Sequence, residues 1–212
     1  MLAIRRALGI LFLGVATLAG AQDATRPMII LLGPPMSGKT ELLAEIQKAY
    51  GIPGISIEDL INDHAQELRD MHPEGLSIAE MRTDPAMSRY VKQQFGKMDL
   101  SRGLVLDGYP ATTLQGQDLA QMIREMKFMP LVLQMTLPDD LVRKRATKGG
   151  RDSDSPEIIN QRLKDYHREF DNASIYFPNA KIVKIDASHA DADAWKAAQA
   201  ALDAQGIKPV GQ

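Results

Sequence analysis

Eight consecutive residues constrain this chain more than any others: Gly33-Pro34-Pro35-Met36-Ser37-Gly38-Lys39-Thr40. They fit the spacing G-x-x-x-x-G-K-[ST]. Just before them, Pro27 to Leu32 is a continuous apolar run that reads as a buried strand. Just after, Thr40 to Tyr50 carries Leu42, Leu43, Ile46 and Ala49 at helical spacing. A strand that turns through glycines into a helix aims loop N–H groups and the positive helix end at one point. Glycine lets the backbone come close to what binds there. The ligand this arrangement suits is a polyphosphate such as ATP. Lys39 would reach the outer phosphates and the Thr40 hydroxyl would stand beside Mg²⁺. Average composition brings the fixed positions together by chance in a chain of this size on the order of 1% of the time.

Strand and helix patterns go on alternating beyond this loop. Gly54 to Ile57, Gly103 to Leu106, Leu131 to Thr136 and Lys181 to Asp186 read as short strands. Glu58 to Asp70, Thr113 to Lys127, Pro156 to Phe170 and Asp193 to Gln205 read as helices. Ser155 caps the third of these and Pro156 sits in its first turn. The pattern predicts a parallel sheet covered on both faces, a three-layer α/β/α arrangement. The 212 residues suffice for one full core and fall short of two ordinary domains. No internal repeat or low-complexity linker divides them.

The formal net charge of −2 offers no basic excess for nucleic acid and no acidic tail for a charged partner. The absence of cysteine excludes a disulfide framework, a thiolate zinc site and a cysteine nucleophile. His64, His72, His167 and His189 show no metal-ligand spacing.

Residues 1–21 have the three parts of an export signal. Arg5 and Arg6 give a positive start, Ala7 to Gly20 is apolar, and Ala19-Gly20-Ala21 ends on small residues. The apolar run is shorter than the roughly 18 to 20 residues of a spanning helix. Cleavage after Ala21 is expected, with no membrane span left behind and a periplasmic or secreted product. The alternative is an uncleaved anchor.

With the loop in place, other stretches fall into the order of the adenylate kinase family of nucleoside monophosphate kinases. Leu104-Val105-Leu106-Asp107-Gly108-Tyr109-Pro110 resembles that family's "LLDGFPRT", with Gln115 at the position of its base-reading glutamine. Pro138-Asp139-Asp140-Leu141 through Arg145 resembles the approach to its lid. Arg151-Asp152-Ser153-Asp154, Glu157, Arg162-Leu163 and Tyr166 resemble "RxDD…E…RLxxY". The resemblance runs from about residue 27 to 186.

It implies a P-loop fold over residues 22–212 with a five-stranded parallel sheet. A small helical monophosphate-binding lobe at 58–94 and a short lid at 146–154 complete it. It also implies a monomer that moves the γ-phosphoryl group of ATP to a nucleoside monophosphate. Lys39, Arg145, Arg151 and Arg162 would be the catalytic cations, and Asp107 would orient Mg²⁺ through water. Guanidinium groups suit this work because they stay charged and hold phosphate oxygens bidentately. Arg143, Lys144, Arg145, Lys148 and Arg151 concentrate charge before and in the lid, and Gly149-Gly150 would act as its hinge.

The departures from the family pattern gather on the acceptor side. "STGDLLR" reads Ser56-Ile57-Glu58-Asp59-Leu60-Ile61-Asn62, so Asn62 replaces an arginine and Glu58 a glycine. Ala111 replaces the arginine of "DGFPRT", Gly149 one in the lid, and Met36 a loop glycine. Arg69, Arg82 and Arg89 are the candidates to replace the missing acceptor grip. Two alternatives therefore stand beside the kinase reading. One is a degenerate nucleotide-binding protein without turnover, and the other a P-loop kinase of another small acceptor. Outside the site, the methionines are expected to fill core gaps. Trp195 is expected against the sheet, Asp186 to His189 near the base by position, and Asp191 and Asp193 at a helix start.

Overall fold

The computed structural model describes residues 26–72, 74–76, 78–149, 155–170 and 177–211. The expected export signal at 1–21, Arg151 and residues 150–154 of the expected lid lie outside them. Five strands form one sheet: β1 (Pro27–Leu32), β2 (Gly54–Ser56), β3 (Leu104–Asp107), β4 (Met129–Thr136) and β5 (Lys181–Asp186). Their order is β2-β3-β1-β4-β5 and every neighbouring pair is parallel.

Central strand β1 explains the layering. All six of its residues are buried. Met28, Ile30 and Leu32 enter one core while Ile29 and Leu31 enter the other, which is the two-residue period of a strand. Such a strand needs helices on both faces. One face is covered by α2 (Ile57–Asp63), α3 (Ala65–Met71), α4 (Ile78–Thr83), α5 (Ala86–Phe95) and α6 (Thr113–Glu125). Leu60, Leu68, Met81, Tyr90 and Leu119 are their share of that core. The other face is covered by α1 (Lys39–Tyr50), α7 (Asp139–Gly149), α8 (Pro156–Phe170) and α9 (Asp191–Ala204). These contribute Leu43, Ile46, Val142, Leu163 and Ala198.

Two elements depart from the sequence expectation. The helix expected over Glu58 to Asp70 is two helices, broken at His64 with φ −108° and ψ 14°. The His64 ring stacks on Tyr90, with centroids 3.9 Å apart and planes at 7°. The bend lets Leu60 and Leu68 reach the same core. Helix α7 forms over the stretch that carries the basic run and resembles the approach to a lid, where no helix is expected from the sequence. Asp139 and Asp140 favour its positive end, and Val142 and Ala146, one turn apart, face the core. Trp195 meets Tyr50 of α1 edge-on at 6.3 Å, so it packs on a helix as well as over the sheet layer.

The connection from β1 runs through α1 toward β2. The connection from β3 runs through α6 the opposite way, toward β4. Open parallel sheets bind ligands where connections diverge in this way, at the carboxyl ends of the strands. Here that point lies between β1 and β3, where the glycine loop and Asp107 emerge. No helix among the described residues is long and apolar enough to cross a membrane.

Candidate active site

The loop's backbone makes its purpose legible. Gly38 has φ 83°, the left-handed region that glycine enters without strain, and it starts α1 with no side-chain cap. The first helical amides are therefore not claimed by a capping side chain, and they carry the positive end of the helix dipole. Met36 also lies in the left-handed region, at φ 61°. This explains why a glycine is usual there; a non-glycine residue in that region costs about 1–2 kcal/mol. Ser37 Oγ donates to the Pro34 carbonyl at 2.8 Å and closes the loop. Lys39 Nζ lies across the loop, donating to Pro34 O at 2.8 Å, Gly33 O at 3.1 Å and Ser37 Oγ at 3.3 Å.

Asp107 ends β3, is 5% exposed, and accepts a 2.8 Å hydrogen bond from Thr40 Oγ1. A hydroxyl and a carboxylate at the foot of a phosphate loop are the hard oxygen donors that Mg²⁺ prefers, so these residues fit that ion.

Loop, Thr40 and Asp107 open on a cavity of about 590 Å³. Among the described residues, Lys39, Arg82, Arg145 and Arg162 are the lysines and arginines that line it. Arg145, from α7, donates to Met36 O at 3.0 Å and to Ala187 O at 2.6 Å. It ties the loop to the turn before α9, and that turn brings His189, Ala190 and the first α9 residue, Asp191, to the same wall. The sequence carried no signal for Ala190 or Asp191 as wall residues, because a helix-start aspartate is ordinary. Arg162, from α8, and Arg82, from α4, stand near Glu58 on the wall shared with Ser56 and Gly108.

Of the three candidate replacement arginines, only Arg82 reaches the cavity. Arg69 donates to Gln66 at 3.1 Å on the surface. Arg89 pairs with Glu67 at 2.9 Å and lies over the Tyr90 ring. Asn62 is exposed and does not line the cavity. Gln115, the expected base reader, sits apart from this cavity. It is 1% exposed and does not line the cavity. Its Oε1 accepts from the Ala111 N–H at 2.7 Å, and its Nε2 donates to the carbonyls of Arg82 at 3.0 Å and Asp84 at 3.3 Å. A buried amide must satisfy its own polar atoms, and here the neighbouring backbone does so.

Desolvation by burial lowers the Lys39 pKa from 10.5 to about 8; Asp107 opposes the shift, and Arg162 and Arg82 add to it. The side chain keeps a partly open edge. Bound phosphate would restore the charged form. Nucleotide binding is therefore expected to take up a proton above pH 8 and none near pH 6.5 from this group. Affinity should fall as pH rises past 8, by up to about tenfold per pH unit. Calorimetry in buffers of different ionisation heat measures this directly. Pure release of protons at pH 9 would contradict it.

Similarity to known proteins agrees with this geometry. Residues 31–181 match the adenylate kinase family. The adenylate kinase of Micrococcus luteus is 30% identical over 167 residues, covering 74% of this chain and 82% of that protein. That of Corynebacterium urealyticum is 28% identical over 179 residues, covering 82% and 98%. That of Nocardia farcinica is 28% identical over 145 residues, covering 66% and 80%. A parallel sheet in the order β2-β3-β1-β4-β5, the lysine-bearing glycine loop at its centre, and a match over most of the chain lead to one conclusion: this protein belongs to the adenylate kinase family.

Proposed function

We propose that the protein transfers the γ-phosphoryl group of ATP to a nucleoside monophosphate, with Mg²⁺. The observation that carries this reading is the convergence of Lys39, Arg82 and Arg162 with the loop amides on one cavity. Phosphoryl transfer asks a protein mainly to align two anions and to neutralise charge on the group in flight. The loop amides and Lys39 suit the outer phosphates of the donor. Arg145, on the wall with His189, suits the donor's nucleoside side. Arg162 lines the cavity with Lys39 and Glu58 and is placed to follow the moving group toward the acceptor half. Thr40 and Asp107 would hold Mg²⁺, which when bound neutralises charge on the β and γ oxygens.

Only one of the three candidate replacement arginines reaches the cavity, and Asn62 and Ala111 bring no charge. Each absent charge-assisted contact removes about 1.5–3 kcal/mol. Acceptor binding should therefore be weak, with the loss showing in KM for the monophosphate more than in ATP affinity. A coupled assay of ADP production with AMP, CMP, UMP and GMP tests the reading. Turnover is expected with at least one acceptor. Measurable ATP binding without turnover of any of them would instead favour a nucleotide-binding protein.

A further inference from the structure

A carboxylate stands where the acceptor half of the cavity should welcome an anion. Glu58, in the first turn of α2, accepts from Arg82 Nη1 at 2.9 Å and lies 3.8 Å from Arg162 Nη2. Both arginines approach the same oxygen, Oε1. One anionic oxygen shared by two guanidiniums is how a phosphate oxygen would be held. We propose that Glu58 is an internal stand-in for the acceptor's phosphate, and that a phosphate monoester binds by displacing it from Arg82 and Arg162. This inference rests on the transfer reading above and adds the acceptor-gripping residue to it.

The surroundings fit exchange better than permanent bonding. The seat of Arg82 is built independently of Glu58. Gln115 Nε2 holds the Arg82 carbonyl at 3.0 Å. Gly108, at φ 76°, leaves room for the guanidinium: a Cβ there would meet Arg82 Nη2 at 2.9 Å and Ile57 Cγ2 at 2.6 Å. The backbone at Arg82 is therefore held without Glu58, and the space beside Gly108 remains open to its guanidinium when the carboxylate leaves. The pair itself is at the cavity edge, with side-chain exposures of 14% for Arg82 and 32% for Glu58. The pair is part-buried but borders the cavity, so an incoming anion reaches it. A phosphate dianion brings more charge and more acceptor oxygens than one carboxylate, so it wins the exchange. In the ligand-free protein the carboxylate keeps two like-charged guanidiniums together.

The test is made on binding, so it does not depend on turnover. AMP and inorganic phosphate are titrated by calorimetry into the wild type, Glu58→Gln, Glu58→Ala, Arg82→Ala and the double variant Glu58→Ala/Arg82→Ala. Circular dichroism and a thermal melt of each variant check the fold. Removing the competing carboxylate is expected to tighten AMP by about ten- to a hundredfold. Arg82→Ala should weaken it by a similar factor, and Arg82→Lys should recover part of the loss. In the double variant the gain from Glu58→Ala should shrink strongly, because the site it frees is gone. A purely structural ion pair predicts the opposite sign, weaker AMP binding in Glu58→Gln, and that result overturns the proposal. So does unchanged affinity, or loss of turnover at unchanged affinity, which would put Glu58 in the chemistry. AMP turnover without tightening defeats this inference alone. Tightening without turnover defeats the transfer reading alone.

Discussion

Lys39→Ala is expected to lower turnover by on the order of 10²–10³-fold. The ammonium is the one lysine donor inside the loop, in contact with Gly33 O, Pro34 O and Ser37 Oγ. Removing it deletes a charge-assisted contact to the outer phosphates, which alone is about ten- to a hundredfold in ATP affinity. The remainder appears in kcat, because negative charge moves during transfer and a fixed cation follows it without reorganising. Folding stability should respond in the opposite direction. The folded pKa of Lys39 lies near 8, below its usual 10.5. The unfolded chain therefore binds this proton more readily, and holding the charge opposes folding at all pH values below about 8. That penalty fades as pH rises from about 8 to 10.5. Lys39→Ala should be at least as stable as the wild type at pH 7, with the advantage gone by pH 10.5. Denaturant melts across pH measure it, and a clear destabilisation at pH 7 would contradict the electrostatic account.

The second large effect is expected from Arg162→Ala: a fall in kcat on the order of 10³-fold, with ATP affinity changed far less. Arg162 is 20% exposed, lines the cavity with Lys39 and Glu58, and is fixed on a helix whose Leu163 is in the core. A cation so placed acts mainly on charge that develops between donor and acceptor. The same guanidinium is the largest cationic contribution to the lowered Lys39 pKa. Arg162→Ala should therefore also move the midpoint of nucleotide-linked proton uptake to higher pH. A change in ATP affinity as large as the change in kcat would assign Arg162 to donor binding instead.

The sequence carried the parts of this site that follow from local rules. The glycine loop needs only a strand before it, left-handed turns within it and a helix after it, and all three are local. Strands β1, β3 and β4 were legible as apolar runs, because a strand buried on both faces has no polar alternation. The edge strand β5 is only partly buried and showed only Ile182, Val183 and Ile185. The acceptor side was less legible. Which of Arg69, Arg82 and Arg89 reaches the cavity depends on how the lobe helices pack, including contacts such as His64 on Tyr90, some 26 residues away in sequence. Spacing along the chain says nothing of such a contact. Gln115 shows a different limit: its position in a motif does not reveal that three backbone groups around it hold its amide. Glu58 was visible as an acidic residue in place of a glycine. Its pairing with arginines from α4 and α8 arises only when those helices are brought together.

The central claim is that the loop amides and Lys39 bind the phosphates of a magnesium nucleotide. Titration of Mg·ATP into the purified protein by calorimetry tests it most directly, with Lys39→Ala alongside. A saturable one-site isotherm for the wild type, weakened about ten- to a hundredfold in the variant, is the predicted result. An isotherm without binding heat, or equal affinity in both proteins, would contradict it.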